Sequence, residues 1–355
     1  NTFNYGGERL LDLMGAPDPG GPTAPRFHYG LLHDARLQAD AIRKLPSLAQ
    51  AVVGSAPLPL SEGATVAAAN PQFDLRRLRL KLLDLHVRRF GTNLTRTVSG
   101  TFLIPTAPDT EAERYVDTVE EAGLVELALR LGEPGLARDI LDFYWEKTNG
   151  GEAPVHSSYD ALTGTALARE LAFVRPVQSL PTAAAQIAIA SVAFDLGKIT
   201  GEGRWRRLGT NLVVRILDRF RPVTGDHGPR GISELPYLPV NRSLGLTFWP
   251  AAPRYLLDSN ARGLELFERL AAESTGVGDA ALAEAIEKAR IECRAWWNTQ
   301  VLPQVDKTGV VPVGFFEVQD VSGETVALAP ERWTSPGAWM TCIETARSLG
   351  RDAAQ

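Results

Sequence analysis

Glycine-centred turns recur along this chain at a nearly constant interval. They fall at positions 132, 201, 276 and 350, so successive turns lie 69, 75 and 74 residues apart. Each turn follows a segment with apolar residues at helical spacing, and each of the first three also precedes one. A period of this length, with one helix pair in each unit and long loops between pairs, favours a toroid over a solenoid, whose units are shorter.

Apolar residues at helical spacing predict the helices of each pair. Pro134 suits the first turn of a helix, and the segment 181–199 is so rich in Ala, Ile and Val that we expect it to be buried on all sides. No run of about 18 apolar residues occurs, so we expect no membrane span. The predicted helices span 74–90, 110–131, 134–148, 181–199, 204–220, 259–273, 280–301 and 335–349.

The proline pattern at the start of the chain separates an arm from a helical body. Four prolines between positions 17 and 25 prevent a helix there, so residues 1–30 are predicted to form an extended Gly/Pro-rich arm. Residues 31–355 are then a single all-α domain, an (α/α) toroid of antiparallel helix pairs. Because the last pair stops at its turn, we expect either that the chain is a fragment or that the toroid is open.

Composition and motifs exclude several function classes. Of the 355 residues 44% are hydrophobic and 22% charged, which is typical of a globular protein, and the net charge of −5 argues against a nucleic-acid partner. The chain has no dinucleotide-binding glycine motif, no P-loop and no serine-hydrolase elbow, so no cofactor is expected. The two cysteines, Cys293 and Cys342, belong to no zinc motif; they form either one disulfide or two buried thiols. The first residue is Asn1 rather than Met, which suits a mature extracytoplasmic chain or a fragment.

Three loops carry patterns beyond those of plain connectors. In the loop 151–180, short strands are predicted near 155–159 and 171–174, around a turn at 163–164. The loop 221–258 is rich in Pro and aromatic residues, and the alternating segment 310–318 predicts a hairpin that turns at 322–324. In helical domains with such insertions, we expect the hairpins to surround one mouth.

Four segments, of which the first two belong to one unit, resemble repeat units of the (α/α)-toroid, or six-hairpin, glycosidase-like superfamily. The resemblance is one of layout and covers roughly residues 74–350. The segments are SSYDALTG at 157–164, FVRPVQSLPTAAAQIAIASVAFDLGKITGEGRWRRLG at 173–209, DSNARGLELFERLA at 258–271 and ERWTSPGAWMTCIETARSLG at 331–350.

The resemblance implies a carbohydrate-active enzyme, foremost a glycoside hydrolase, with its site at the mouth formed by the N-terminal ends of the inner helices. Glycoside hydrolysis needs two carboxylates across the scissile bond, one protonated and one ionised. Asp160 and Asp258 are the first pair to consider, and Glu331 is the alternative partner. Each also has a structural interpretation: Asp160 as the start of an Asx turn, Asp258 as a helix N-cap and Glu331 as a solvated loop carboxylate.

Aromatic and polar side chains near the predicted mouth would bind an oligo- or polysaccharide. Tyr and Trp rings stack on the C–H faces of sugars, and arginines bind uronate carboxylates. No metal site is expected. The predicted substrate-binding residues are His156, Tyr159, Arg175, Trp249, Arg254, Tyr255, Asn260 and Trp333.

Two other functions fit the same layout. A polysaccharide lyase would combine an arginine, Arg175 or Arg254, with a Tyr or His base. The base would come from His156 and Tyr159 or from His227 and Tyr255. A non-catalytic toroid would bind glycan, or a protein partner in a surface assembly, without cleaving it. Paired carboxylates about 5–10 Å apart in an aromatic cleft would favour hydrolysis over binding alone.

Overall fold

The computed structural model confirms a mostly helical chain with a few short antiparallel strands. Helices account for 67% of the described residues. The predicted arm 1–30, the predicted helix 74–90 and the predicted strand at 171–174 lie outside those residues. The single-domain assignment stays a prediction. The structure describes residues 92–94, 101–104, 115–166, 181–221, 229, 231–234, 254–273, 279–319, 325–331 and 334–350.

Contacts divide the chain into two compact units, and the division falls inside one helix, between Phe143 and Tyr144. The first unit comprises 1–143 and 158–179, and the second comprises 144–157 and 180–355.

The first unit contains two small antiparallel sheets, one whole helix and the first part of a second helix. Its strands are β1 (Thr92–Leu94), β2 (Thr101–Leu103), β3 (Tyr115–Asp117) and β4 (Ser158–Asp160), paired β1 with β2 and β3 with β4. Helix α1 (Thr118–Leu131) follows β3, and α2 (Pro134–Lys147) follows the turn at Gly132.

The predicted helix 110–131 was too long at its N-terminus. Helix α1 begins only at Thr118 because residues 115–117 pair with β4 and because Asp117 is its N-cap. The Asp117 carboxylate accepts hydrogen bonds from the backbone N–H groups of Val119 and Glu120, at 2.9 and 3.1 Å. An apolar residue within β3, Val116, extends the helical pattern by accident.

A buried carboxyl group lies on the inner side of α1. Glu121 is fully buried, and its Oε1 accepts a hydrogen bond from the backbone N–H of Ile104 at 3.1 Å. Among the described residues, none forms a hydrogen bond to its Oε2. Burial raises the pKa of Glu121 well above 4.5, and the nearby charge of Asp117 raises it further, against the lowering effect of the Ile104 bond. The protonated, uncharged form is therefore the one that the fold accommodates.

We predict that Glu121 makes the protein less stable as the pH rises. Its pKa is higher in the folded than in the unfolded chain, so its contribution is complete below about pH 4.5 and is lost as the pH climbs toward the folded value. The loss approaches about 1.4 kcal/mol per pH unit in that window. Urea unfolding of wild type and Glu121→Gln from pH 4 to 8 measures it: the uncharged variant should lack this slope, and parallel curves would contradict the prediction.

The second unit is built of helical hairpins. Helices α3 (Ala183–Thr200) and α4 (Gly203–Arg219) form the first, and α5 (Leu257–Ala272) and α6 (Ala280–Trp296) form the second. Helix α5 contacts both α3 and the last described helix, α8 (Pro336–Ser348), while α4 contacts α6. Helices α3, α5 and α8 thus form one row, and α4 and α6 form a second.

Ion pairs join α3 to α5, and the partners lie one sequence repeat apart. Arg269 Nη1 donates to Asp195 Oδ1 at 2.9 Å, and Lys198 Nζ donates to Glu273 Oε1 at 3.2 Å. The partners lie 74 and 75 residues apart. Helices α3 and α5 therefore hold equivalent places in successive units, as the turn spacing predicts.

Three of the four predicted glycine turns lie in described parts of the chain and are present there. Gly132, Gly201 and Gly350 have φ values of 83°, 73° and 81°, in the left-handed region that favours glycine. Gly276 lies outside the described residues.

Helix α3 is apolar enough by length and composition to cross a membrane. It is the one such helix among the residues searched, and 56% of its apolar window is buried within the fold. Gln186, near its start, is fully buried and exchanges two hydrogen bonds with the backbone of Val155. These contacts are those of a core helix, in keeping with the expected absence of a membrane span.

The second unit also contains a three-stranded antiparallel sheet. Its order is β5 (Arg254–Leu256), β6 (Gly314–Gln319) and β7 (Thr325–Pro330). The pairing of β6 with β7 confirms the predicted hairpin. Strand β5, directly before α5, was not predicted, since three residues are too few to show alternation.

Two predicted helix boundaries in this unit require correction. The helix predicted at 259–273 begins at Leu257, so Asp258 lies in its first turn and not in the preceding loop. The helix predicted at 280–301 continues beyond α6 as a π-helical turn (Trp297–Val301) and helix α7 (Leu302–Thr308). Pro303 does not end it; the residue lies in the first turn of α7, directly after the π-helical turn.

The cysteine alternatives are also decided. Cys293 and Cys342 are both free and both buried. Burial raises the pKa of Cys293 to about 12 and that of Cys342 to about 11. Two inert thiols, and not a disulfide, are therefore present.

The turn at Gly150 and Gly151 packs the end of α2 against α4. Gly151 is buried at φ 93°, and a Cβ there would lie 2.8 Å from Asn211 Cβ and 3.0 Å from the Leu208 carbonyl oxygen. The Asn211 amide in turn donates to the carbonyl of Gly150 at 2.8 Å.

We predict that Gly151→Ala lowers the free energy of unfolding by about 2–4 kcal/mol, since it combines left-handed strain with overpacking. Gly203→Ala, at a helical position with nothing within 4 Å, is the matched control and should be nearly neutral. Denaturant titration of both variants tests whether the close packing of Gly151 against α4 contributes to stability. Equal stabilities would show that the turn relaxes freely.

Candidate functional site

A short segment, residues 231–234, ties together the N-terminal ends of α3 and α5. The Asn260 side chain, in the first turn of α5, accepts from the Ile232 N–H at 2.5 Å and donates to the Ile232 carbonyl at 2.9 Å. Glu234 accepts from the Ala183 N–H through its carbonyl at 2.9 Å and donates its own N–H to the Arg254 carbonyl at 2.7 Å. This segment, called the strap below, therefore fixes Glu234 at the start of both helices.

The Glu234 carboxyl group is the most perturbed acid of this region. Ser259 Oγ donates to its Oε2 at 2.6 Å, and the Ala184 N–H approaches its Oε1 at 3.5 Å. Burial raises its pKa from 4.5 to about 7, and the negative charge of Asp258 adds to the rise, while the two hydrogen bonds and the Arg254 charge oppose it. Near neutral pH this carboxyl group is present in both protonation states, as a proton donor requires.

Asp258 is the second carboxylate of the cluster. It lies in the first turn of α5. Its two oxygens accept hydrogen bonds from Nε of Arg262, one helical turn later, at 3.3 and 3.2 Å. Nearly half of its side chain is exposed. Its charge is thus paired on one side and open to solvent on the other.

Arg254 and Glu331 form the third part of the cluster, a bidentate ion pair. Nε and Nη2 of Arg254 donate to separate oxygens of Glu331, the second bond measuring 2.7 Å. Glu331 also donates its N–H to the Gly314 carbonyl at 2.9 Å. The pair raises the pKa of Arg254 and joins β5 to the residue that follows β7.

Two predicted substrate-binding residues have structural contacts. Tyr255 is fully buried, and its hydroxyl donates to Glu317 Oε1 at 2.6 Å. Asn260 is also fully buried and holds the strap. Their side chains place the site rather than line its surface.

His156 lies beside the start of α3. It forms a β-bridge with Pro181, the residue before the Thr182 N-cap of that helix. His156 of the loop 151–180 and Glu234 of the loop 221–258 therefore both lie at the N-terminal end of α3.

Asp160 and Tyr159 belong to the first unit. Asp160 Oδ1 accepts from the N–H groups of Leu162 and Thr163, both at 2.8 Å, which is the Asx turn that the sequence offered as an alternative. Tyr159 is buried, with its ring edge-to-face against Phe143 at 5.0 Å. The other predicted residues, Arg175, Trp249 and Trp333, lie outside the described residues.

Sequence reasoning missed Glu234. The residue stands in a loop that was singled out for its composition, but no motif or spacing distinguishes this acid from its neighbours. Its importance depends on the strap contacts, which join positions 28 and 50 residues apart. Within the described stretches, no group of three or more His, Cys, Asp and Glu side chains could hold a metal ion.

Comparison of the chain with protein-family models, with curated proteins and with solved structures found no match. The local chemistry of the cluster formed by Glu234, Asp258, Arg254 and Glu331 is therefore the basis for assigning a function.

We predict that Ser259→Ala raises the pKa of Glu234 above about 7, because the lost hydrogen bond favours the ionised form. An NMR titration with carboxyl-labelled glutamate measures the shift directly. Ser191→Ala, on α3, serves as the matched control. A Glu234 pKa that stays the same or falls in Ser259→Ala would contradict the assigned contact.

Proposed function

We propose that this protein is a glycoside hydrolase in which Glu234 is the general acid and Asp258 the second carboxylate. The observation that carries the proposal is the Glu234 carboxyl group, with a pKa of about 7, held beside another carboxylate. Glycosidases need this difference between two acids: one stays protonated to donate to the leaving oxygen, and the other stays charged.

The environment divides the two roles. Glu234 is half-buried against the N-terminal ends of α3 and α5, where loss of hydration makes the charged form costly. Asp258 is half exposed and faces Arg262, so its charge is compensated. Asp258 then acts either as the base that activates water or as the nucleophile that attacks the sugar carbon.

Glu331, the third predicted acid, is better suited to holding Arg254 than to proton transfer. Both of its oxygens accept from that guanidinium group. The positive charge of Arg254 is in this way held near Glu234, whose pKa it lowers. Asp160 remains a candidate from the sequence, with one oxygen already occupied by its turn.

The arrangement of helices supports an (α/α) toroid as the scaffold. Helices α3, α5 and α8 follow one another in one row, and the cluster lies where the first two begin and just before the third. In such a ring the inner helices present their N-terminal ends, with their partial positive charge, to the substrate. We include in the proposal an extracytoplasmic location and an oligo- or polysaccharide substrate.

We predict that Glu234→Gln lowers turnover by about 100- to 10,000-fold, the range typical of a lost general acid. Wild-type activity should fall on the alkaline side with a midpoint near pH 7, because ionised Glu234 has no proton to donate. Release of reducing sugar from a panel of polysaccharides, followed from pH 4 to 9, measures both effects.

Glu265→Gln on the exposed surface of α5 is the matched control and should retain full activity. Asp258→Asn should lose activity as strongly as Glu234→Gln. A wild type that binds glycans without releasing reducing sugar would overturn the hydrolase and favour a binding protein. Products with an unsaturated ring would identify a lyase instead.

A further inference from the structure

Strand β6 has its polarity reversed. Its charged residue, Glu317, is only 2% exposed, whereas the apolar residues on either side, Phe316 and Val318, are 38% and 36% exposed. A strand on a core normally turns its apolar side chains inward. Here Phe315 and Glu317 face the core, and an aromatic ring is left on the outside.

The neighbouring strands extend this surface with two alanines on one side and an arginine on the other. Arg254 and Ala329 lie directly opposite Phe316 on the two sides, and Ala327 lies opposite Val318. Alanine side chains are too short to cover the phenyl ring. We call these five residues, Arg254, Phe316, Val318, Ala327 and Ala329, the outer sheet face.

The outer sheet face continues directly from the candidate acid. Glu234 donates its N–H to the carbonyl of Arg254, and Arg254 pairs with Phe316 in the sheet. Neighbouring strands lie about 4.8 Å apart, so the backbone of Phe316 is roughly 10 Å from that of Glu234. A short oligosaccharide spans this distance.

We propose that the outer sheet face is a binding platform for an uncharged oligosaccharide, whose next sugar enters the site at Glu234. The proposal rests on the function proposed above and adds the substrate class to it. The phenyl ring offers a surface for the apolar C–H face of a pyranose. At its edge the Arg254–Glu331 pair presents N–H donors and carboxylate oxygens to sugar hydroxyls.

The charge of this edge favours neutral sugars. Nε and Nη2 of Arg254 both donate to Glu331, so the ion pair carries no net charge beside the outer sheet face. A uronate would need an arginine free to form two hydrogen bonds with its carboxylate. An exposed apolar strip rimmed by polar groups is typical of a binding site.

The test is calorimetric titration with cellohexaose, xylohexaose and mannohexaose, and with hexagalacturonate as the charged comparison. Binding is measured in the Glu234→Gln background, which prevents cleavage. Phe316→Ala should weaken binding of at least one neutral hexasaccharide about tenfold, the effect of one lost aromatic stack. Phe316→Trp should restore it, and Ile291→Ala, an exposed apolar residue on α6, should leave it unchanged.

Four outcomes would overturn the platform. These are equal affinity in Phe316→Ala, no binding of any neutral hexasaccharide, Phe316-dependent binding of hexagalacturonate alone, and a wild-type dimer that Phe316→Ala dissociates in light scattering. The proposed hydrolase fails separately: a wild type that binds through Phe316 but cleaves nothing keeps the platform and loses the enzyme. A wild type that cleaves, with Phe316→Ala binding as well as the parent, keeps the enzyme and loses the platform.

Discussion

The candidate site depends on one buried amide. Asn260 pairs its carboxamide with both backbone groups of Ile232 and donates as well to the Leu256 carbonyl at 2.9 Å. Without this side chain, two buried backbone groups of the strap would lose their partners, at about 1–3 kcal/mol each. Glu234 lies two residues beyond that contact, so the place and the pKa of the acid both follow from it. Gly231 is required beside it, because a Cβ there would collide with the same amide.

The cluster combines groups of different stability. Asn260 and Tyr255 are fully buried and hydrogen-bonded, whereas Asp258 and Arg254 are half exposed and held by ion pairs. Exposed ion pairs contribute little to folding, typically below about 1 kcal/mol. The backbone of the site is therefore fixed by the core, while its charged groups keep the freedom to exchange partners when a substrate arrives.

Most helices could be predicted from sequence because their evidence is local. The small apolar residues of α3, Pro134 at the start of α2 and the glycine at position 201 each determine structure within a few residues. The site could not be predicted in the same way. Glu234 acquires its chemistry from Asn260, Ser259 and Ala184, and neither the strap nor the three-residue strand β5 produces a periodic pattern. The predicted pair, Asp160 and Asp258, came from the loops 151–180 and 221–258. The structure places Asp160 in a turn and Asp258 in a helix.

The ion pairs between α3 and α5 have a consequence for how this fold changes in length. Their partners are separated by one repeat, at 74 and 75 residues. At matching heights the two helices therefore carry opposite charges, Asp195 and Lys198 on α3 against Arg269 and Glu273 on α5. A duplicated copy of either helix would place like charges opposite each other, and like charges repel. The ion pairs thus favour this order of two different hairpins over the repetition of one of them.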